Sequence, residues 1–130
     1  MKVMLDTNVY TALMRGDEAT ANTVRASEAV LVSAIVVGEL LYGFRHGSRF
    51  DENQRQLGEF IASPYVHFIP VTYVTADRFS RIAASLRRRG KPLPSNDIWI
   101  AAHALETGAD LLTFDGHFSL IEGLVWRTPA

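Results

Sequence analysis

Four consecutive residues, Val30-Leu31-Val32-Ser33, do most to limit the folds open to this chain. A continuous apolar, β-branched run of strand length lacks the alternation of a strand with one wet face, and suits a parallel strand buried on both sides. Parallel strands need crossover connections, most often helical, so such a strand asks for helices around it. The sequence provides them. Lys2 to Leu5 reads as an opening strand that runs into Asp6, and Thr7 to Met14, capped by Thr7, carries Tyr10, Leu13 and Met14 at helical spacing. Arg15-Gly16-Asp17 breaks that helix and Glu18 to Ser27 resumes one. Beyond the Val30 strand, Ala34 to Arg45 is helical, and Asp51 caps a further helix with a Leu57, Phe60, Ile61 stripe that Ser63-Pro64 stops.

His67 to Val71 makes a third strand, and Phe79, Ile82, Ala83 and Leu86 then follow the rule of an amphipathic helix ending in Arg87-Arg88-Arg89-Gly90. After the rigid connector Lys91-Pro92-Leu93-Pro94, Ser95 caps a helix over Asn96 to Thr107, closed by Gly108. Leu111 to Phe114 forms a strand delivering Asp115, a turn or short helix passes Phe118 and Ile121, and Leu124 to Trp126 is a last small strand. Strands alternating with helices predict an α/β fold with a central, mostly parallel sheet and right-handed crossovers. Residues 1–130 are expected to form one domain, since 130 residues at 48% hydrophobic content can bury a proper core and no linker divides them.

Charge and composition exclude several classes. With 13 basic and 14 acidic side chains the net charge is −1, so attraction to phosphate must come from local clusters. The absence of cysteine rules out a disulfide framework, a thiolate zinc site and a cysteine nucleophile, and fits a cytoplasmic protein. No apolar run reaches membrane-spanning length, and the start up to Asp6 is too short for a signal peptide, so it is expected to be mature structure. Neither a phosphate loop nor a nucleophile elbow nor a dinucleotide fingerprint is present.

Acidic residues recur where elements would share one rim. Asp6 follows the first strand, Asp115 the fourth, Asp97 lies in the first turn of the helix leading into it, and Glu39 interrupts the apolar run Ile35 to Leu41, with Gly38 and Gly43 leaving space nearby. Each has a plain structural alternative: Asp97 can complement a helix dipole, Glu39 can face solvent, Asp115 suits a tight turn and Asp6 a helix cap. If they converge, two carboxylates about 5 Å apart repel by roughly 3 kcal/mol at an effective dielectric near 20. Either some are protonated or a cation sits among them. An all-oxygen set without His or Cys suits Mg²⁺ or Mn²⁺, one or two ions, which can activate water and polarise a phosphodiester.

Two basic clusters flank these acids, Arg87, Arg88, Arg89 and Lys91 on one side and Arg45, His46 and Arg49 on the other. Both suit either a nucleic-acid backbone or plain solvation. His46, His67, His103 and His117 show no metal-ligand spacing, and Trp99 and Trp126 suit a core or an interface.

Val3-Met4-Leu5-Asp6-Thr7-Asn8, Ser33 to Leu40, Asn96 to Ala102 and Leu112 to Phe118 together resemble the successive motifs of PIN-domain ribonucleases, and within them the VapC-type toxins of toxin-antitoxin pairs. The likeness runs in order over nearly the whole chain. It implies a PIN-like α/β/α sandwich with a five-stranded sheet, Mg²⁺- or Mn²⁺-dependent cleavage of RNA, inhibition by a VapB-like antitoxin, and a homodimer or larger toxin-antitoxin assembly. By the same resemblance Asp6, Glu39 and Asp97 match the acidic triad, Asp115 the fourth acid, and Asn8 and Thr113 supporting polar positions. A PIN-like module that binds without cutting is the alternative. A haloacid-dehalogenase-type phosphatase is less suited, because it wants a second Asp where this chain has Asn8.

Overall fold

The computed structural model describes residues 1–130. Its order is β1 (Lys2–Leu5), α1 (Thr7–Met14), α2 (Glu18–Arg25), β2 (Ala29–Ser33), α3 (Ala34–His46), α4 (Phe50–Ala62), β3 (Val66–Ile69), α5 (Tyr73–Arg88), α6 (Ser95–Thr107), β4 (Asp110–Leu112), a 3₁₀ turn (Gly116–Leu120) and β5 (Trp126–Arg127). The strands form one five-stranded sheet in the order β3-β2-β1-β4-β5. Every pairing is parallel, as the buried run Val30 to Ser33 requires.

β1 is the middle strand, and Val3, Met4 and Leu5 are buried on its two faces. Met4 joins the larger core with Leu31, Val36, Leu40, Ile100 and Leu111, whereas Val3 and Leu5 point the other way, to Val9, Val30 and Leu112. This alternation places apolar clusters, each closed by helices, above and below the sheet. Burial of each such side chain stabilises by about 1.5–3 kcal/mol, so the middle strand is the most firmly held element. The chain winds from β1 through β2 to β3, then returns to lay β4 on the other side of β1. The sheet therefore has its switch point between β1 and β4, and the crevice outside their carboxyl ends is where such sheets bind ligands.

Several boundaries differ from the sequence expectation. Thr7 is inside α1, because Asp6 takes the cap position and accepts from the Thr7 amide. Arg49 and Pro94 occupy the caps of α4 and α6, so Asp51 and Ser95 move into the first turns. α2 stops at Arg25, two residues before Ser27, whose hydroxyl donates back to the Thr23 carbonyl. β3 ends at Ile69 because Pro70 has no N–H for the ladder. β5 lies later than Leu124 to Trp126, since Leu111 donates to the Val125 carbonyl and Thr113 to that of Arg127. No helix is long and apolar enough to cross a membrane.

Candidate active site

Asp6 leaves β1 as the cap of α1 and is only 6% exposed. Its Oδ1 accepts from the Thr7 amide at 2.8 Å and its Oδ2 from the Thr113 hydroxyl at 2.7 Å. The same hydroxyl accepts from the Asp115 amide at 3.0 Å, so one fully buried threonine ties the ends of β1 and β4 together. Burial pushes the Asp6 carboxyl above its ordinary range. Those two hydrogen bonds oppose the shift, and Glu39 and Asp115 add to it.

Glu39 projects from α3 towards the same place. Its Oε1 accepts from the Thr7 hydroxyl at 2.8 Å and its Oε2 from the Asn96 amide at 3.3 Å. The Glu39 carboxylate is thus held between the first turns of α1 and α6, which answers the solvated alternative suggested by its helical phase. The open space expected beside it is present, since nothing approaches a Cβ built at Gly38 or Gly43 within 4 Å.

Asp97 stands in the first turn of α6 and makes no side-chain hydrogen bond, unlike the other three acids. Its carboxyl is pushed up to about 6, first by desolvation and then by Asp6, Asp115 and Glu39, with His117 acting in the opposite direction. All three other acids act on Asp97, so the four form one electrostatic group. Asp115 caps the 3₁₀ turn, accepting from the His117 amide at 2.9 Å and lying 2.8 Å from His117 Nδ1. Asn8 accepts from the Phe114 amide at 3.3 Å, fixing the first turn of α1 against the loop after β4.

The donor set is all oxygen and its four acids act on one another, which fits a hard divalent cation. No three acidic or histidine side chains close around one point as a dedicated cage.

None of Arg45, Arg49, Arg87, Arg88, Arg89 and Lys91 forms an ion pair with the four acids. Arg49 pairs with Glu52, Arg45 stacks 4.1 Å over Phe50, and Arg89 donates to the Leu120 carbonyl. His103 is fully buried and structural, and Trp99 stacks on Phe79 with ring centres 4.1 Å apart.

Three side chains escaped the sequence reading. Thr7 looked like a cap but orients Glu39. Asn96 stood beside Asp97 in the quoted motif, where a first-turn position is the available signal. His117 follows Asp115 by two residues, the spacing of a turn pair.

An all-parallel α/β sheet with clustered carboxylates outside its middle strands defines the class, a protein built around an acidic, oxygen-donor site at a topological switch point. The chain belongs to the PIN-domain family, whose model matches residues 3–124. Within that family it groups with VapC proteins. It is 31% identical over 115 residues to Ribonuclease VapC2 of Haemophilus influenzae, covering 87% of this chain and 86% of that one. Among solved structures it resembles VapBC2 of Rickettsia felis bound to a promoter DNA fragment, at 25% identity and a TM-score of 0.88, covering 98% of both chains. It also resembles VapBC-1 of nontypeable Haemophilus influenzae, at 27% identity and a TM-score of 0.87, again covering 98% of both.

Proposed function

We propose that residues 1–130 act as one catalytic domain, an endoribonuclease of VapC type that hydrolyses RNA phosphodiester bonds with Mg²⁺ or Mn²⁺. The observation that carries this is the convergence of four acids on one rim, where Thr7 holds Asp6 and Glu39, Thr113 holds Asp6 and the Asp115 backbone, and Asp97 stands without a hydrogen bond of its own. A group so placed is stabilised as an anion when a cation joins it. Asp6, Glu39, Asp97 and Asp115 would hold one or two ions, some through water. An ion held there would supply Lewis acidity to the phosphodiester and lower the pKa of the attacking water.

The chain's own residues do the positioning. Thr113 holds Asp6 and the Asp115 backbone at a fixed separation, and Thr7 and Asn96 orient Glu39. Asp97, with no internal hydrogen bond, keeps its lone pairs available. The same reading gives the chain a VapB-like antitoxin as its inhibitor, a place in the cytoplasm and a homodimeric state. The antitoxin partner is supported by the solved relatives that are VapBC complexes, one of them a member of the VapBC family of toxin-antitoxin systems from Mycobacterium tuberculosis.

Asp6→Asn and Asp97→Asn should each abolish metal-dependent cleavage of RNA while the circular dichroism spectrum is retained. Full cleavage by either variant, or undiminished cleavage in excess EDTA, would contradict the mechanism.

A further inference from the structure

Beside the acidic group a cleft of about 620 Å³ opens along α1, lined by Asn8, Thr11, Arg15, Gly16, Asp17 and Phe114 among others. Asn8, Thr11 and Arg15 fall on one face of the helix, so the cleft runs from the catalytic rim to the end of α1. Phe114 forms its other wall. This ring is 46% exposed although it sits between the buried Thr113 and the half-buried Asp115. Its backbone amide donates to Asn8 Oδ1, so the wall is anchored to the floor.

Arg15 is a free cation. It joins no ion pair, although Asp17 lines the same cleft; the Asp17 Oδ2 is turned to the amide and hydroxyl of Thr20. Gly16, at φ +83°, makes the left-handed turn after α1 and leaves the cleft open past Arg15.

We infer that this cleft is a nucleotide subsite, in which the base next to the scissile phosphate stacks on Phe114 and the following phosphate meets Arg15. The inference rests on the ribonuclease reading and names where the strand runs. A strand whose phosphodiester reaches Asp6 and Asp97 must continue away from four carboxylates that repel its other phosphates. The cleft offers an unpaired cation, Arg15, together with an exposed aromatic ring, Phe114. A π-face binds any base, and a single arginine binds phosphate without reading sequence. Single-stranded RNA is therefore the occupant that uses both walls.

The probe is a single-stranded oligoribonucleotide carrying 2-aminopurine, titrated into the Asp97→Asn protein, which should retain the strand without cutting it. Stacking on Phe114 quenches the probe. Adding Phe114→Leu should remove most of the quenching and weaken binding by roughly tenfold, and Phe114→Trp should restore both. Adding Arg15→Gln should weaken binding and lower the slope of log K against log salt by about one. In the otherwise native protein, both substitutions should slow cleavage chiefly through KM. Native cleavage with unchanged quenching, affinity and salt slope in the Phe114→Leu and Arg15→Gln variants would overturn the subsite alone. A native protein that neither binds nor cuts RNA would overturn the ribonuclease reading and the subsite with it.

Discussion

Thr7 shows how much one hydroxyl can decide. Its amide holds Asp6 while its hydroxyl donates to Glu39, so a single residue in the first turn of α1 serves two carboxylates that come from different elements. A supporting hydrogen bond of this kind fixes the orientation of an acid, and its loss costs about 10–100-fold in metal affinity or activity where the acid binds an ion. Thr7→Val should therefore lower cleavage by roughly tenfold or more and raise the Mg²⁺ concentration needed for half-maximal rate. Thr7→Ser, which keeps the hydroxyl, should restore both. The stability cost should stay near 1 kcal/mol, the net worth of one partly exposed hydrogen bond. A Thr7→Val enzyme with an unchanged Mg²⁺ requirement would show that Glu39 needs no such guide. Glu39 itself was the acid least visible in its own helix, because the pattern of Val36, Leu40 and Phe44 phases it towards solvent. The partners that hold it, Thr7 and Asn96, lie 32 and 57 residues away along the chain. Periodicity within one helix cannot see them.

Among the elements, α6 is the one on which the site leans, since it carries Asp97 and Asn96 and packs against α5. It is pinned to the sheet by His103. The His103 Nε2 lies 3.1 Å from the Pro70 carbonyl and its Nδ1 2.8 Å from the Ser33 hydroxyl. A carbonyl only accepts, so Nε2 carries the proton and Nδ1 accepts from Ser33, whose oxygen in turn caps α3 by accepting from the Ile35 amide. One neutral imidazole thus joins α6 to the end of β2 and to the exit of β3. Burial pushes its pKa below the ordinary 6.5, with the Pro70 carbonyl and Glu106 opposing. A base with a depressed folded pKa contributes stability that is present above about 6.5 and is lost as pH falls through that value towards the folded one. His103→Leu should cost roughly 2–3 kcal/mol at pH 7.5, because Ser33 and Pro70 lose a buried partner. It should also flatten the fall in denaturant midpoint between pH 6.5 and 5. An unaltered acid slope in that variant would assign the slope to other groups. The strand and helix order was legible in the sequence because runs such as Val30 to Ser33 are read locally. The ends were not, since Pro70, Asp6 and Pro94 stop or start elements through a missing N–H, a cap bond or a fixed φ that competes with hydrophobic period.

At the scale of the whole molecule, the fold gathers four acids at the carboxyl ends of its middle strands, and that arrangement sets a conflict between stability and function. The sequence already placed all four on one rim, because Asp6 and Asp115 follow strands, Asp97 opens the helix that leads into β4 and Glu39 lies in the helix after β2. Their mutual influence required the sheet order β2-β1-β4, which no local pattern encodes. An acid whose folded pKa is raised binds its proton more firmly folded than unfolded. For Asp97, raised from 3.8 to about 6, the ion-free molecule loses stability as pH rises through this interval and bears the full cost above it. A cation binds the ionised form and reverses that cost. The rise in melting temperature on adding Mg²⁺ should therefore be small at pH 5 and grow through pH 6 to 7.5. At Mg²⁺ concentrations about 100-fold above Kd it should reach roughly 5–10 °C. Asp97→Asn should be more stable than the native protein in EDTA at pH 7.5, by about 0.5–2 kcal/mol, while losing most of the Mg²⁺ increment. His103 titrates with the opposite sign, but it does so with and without Mg²⁺, so the difference between paired scans cancels it. A Mg²⁺ increment that is independent of pH, or one kept in full by Asp97→Asn, would mean that the acids do not share an ion.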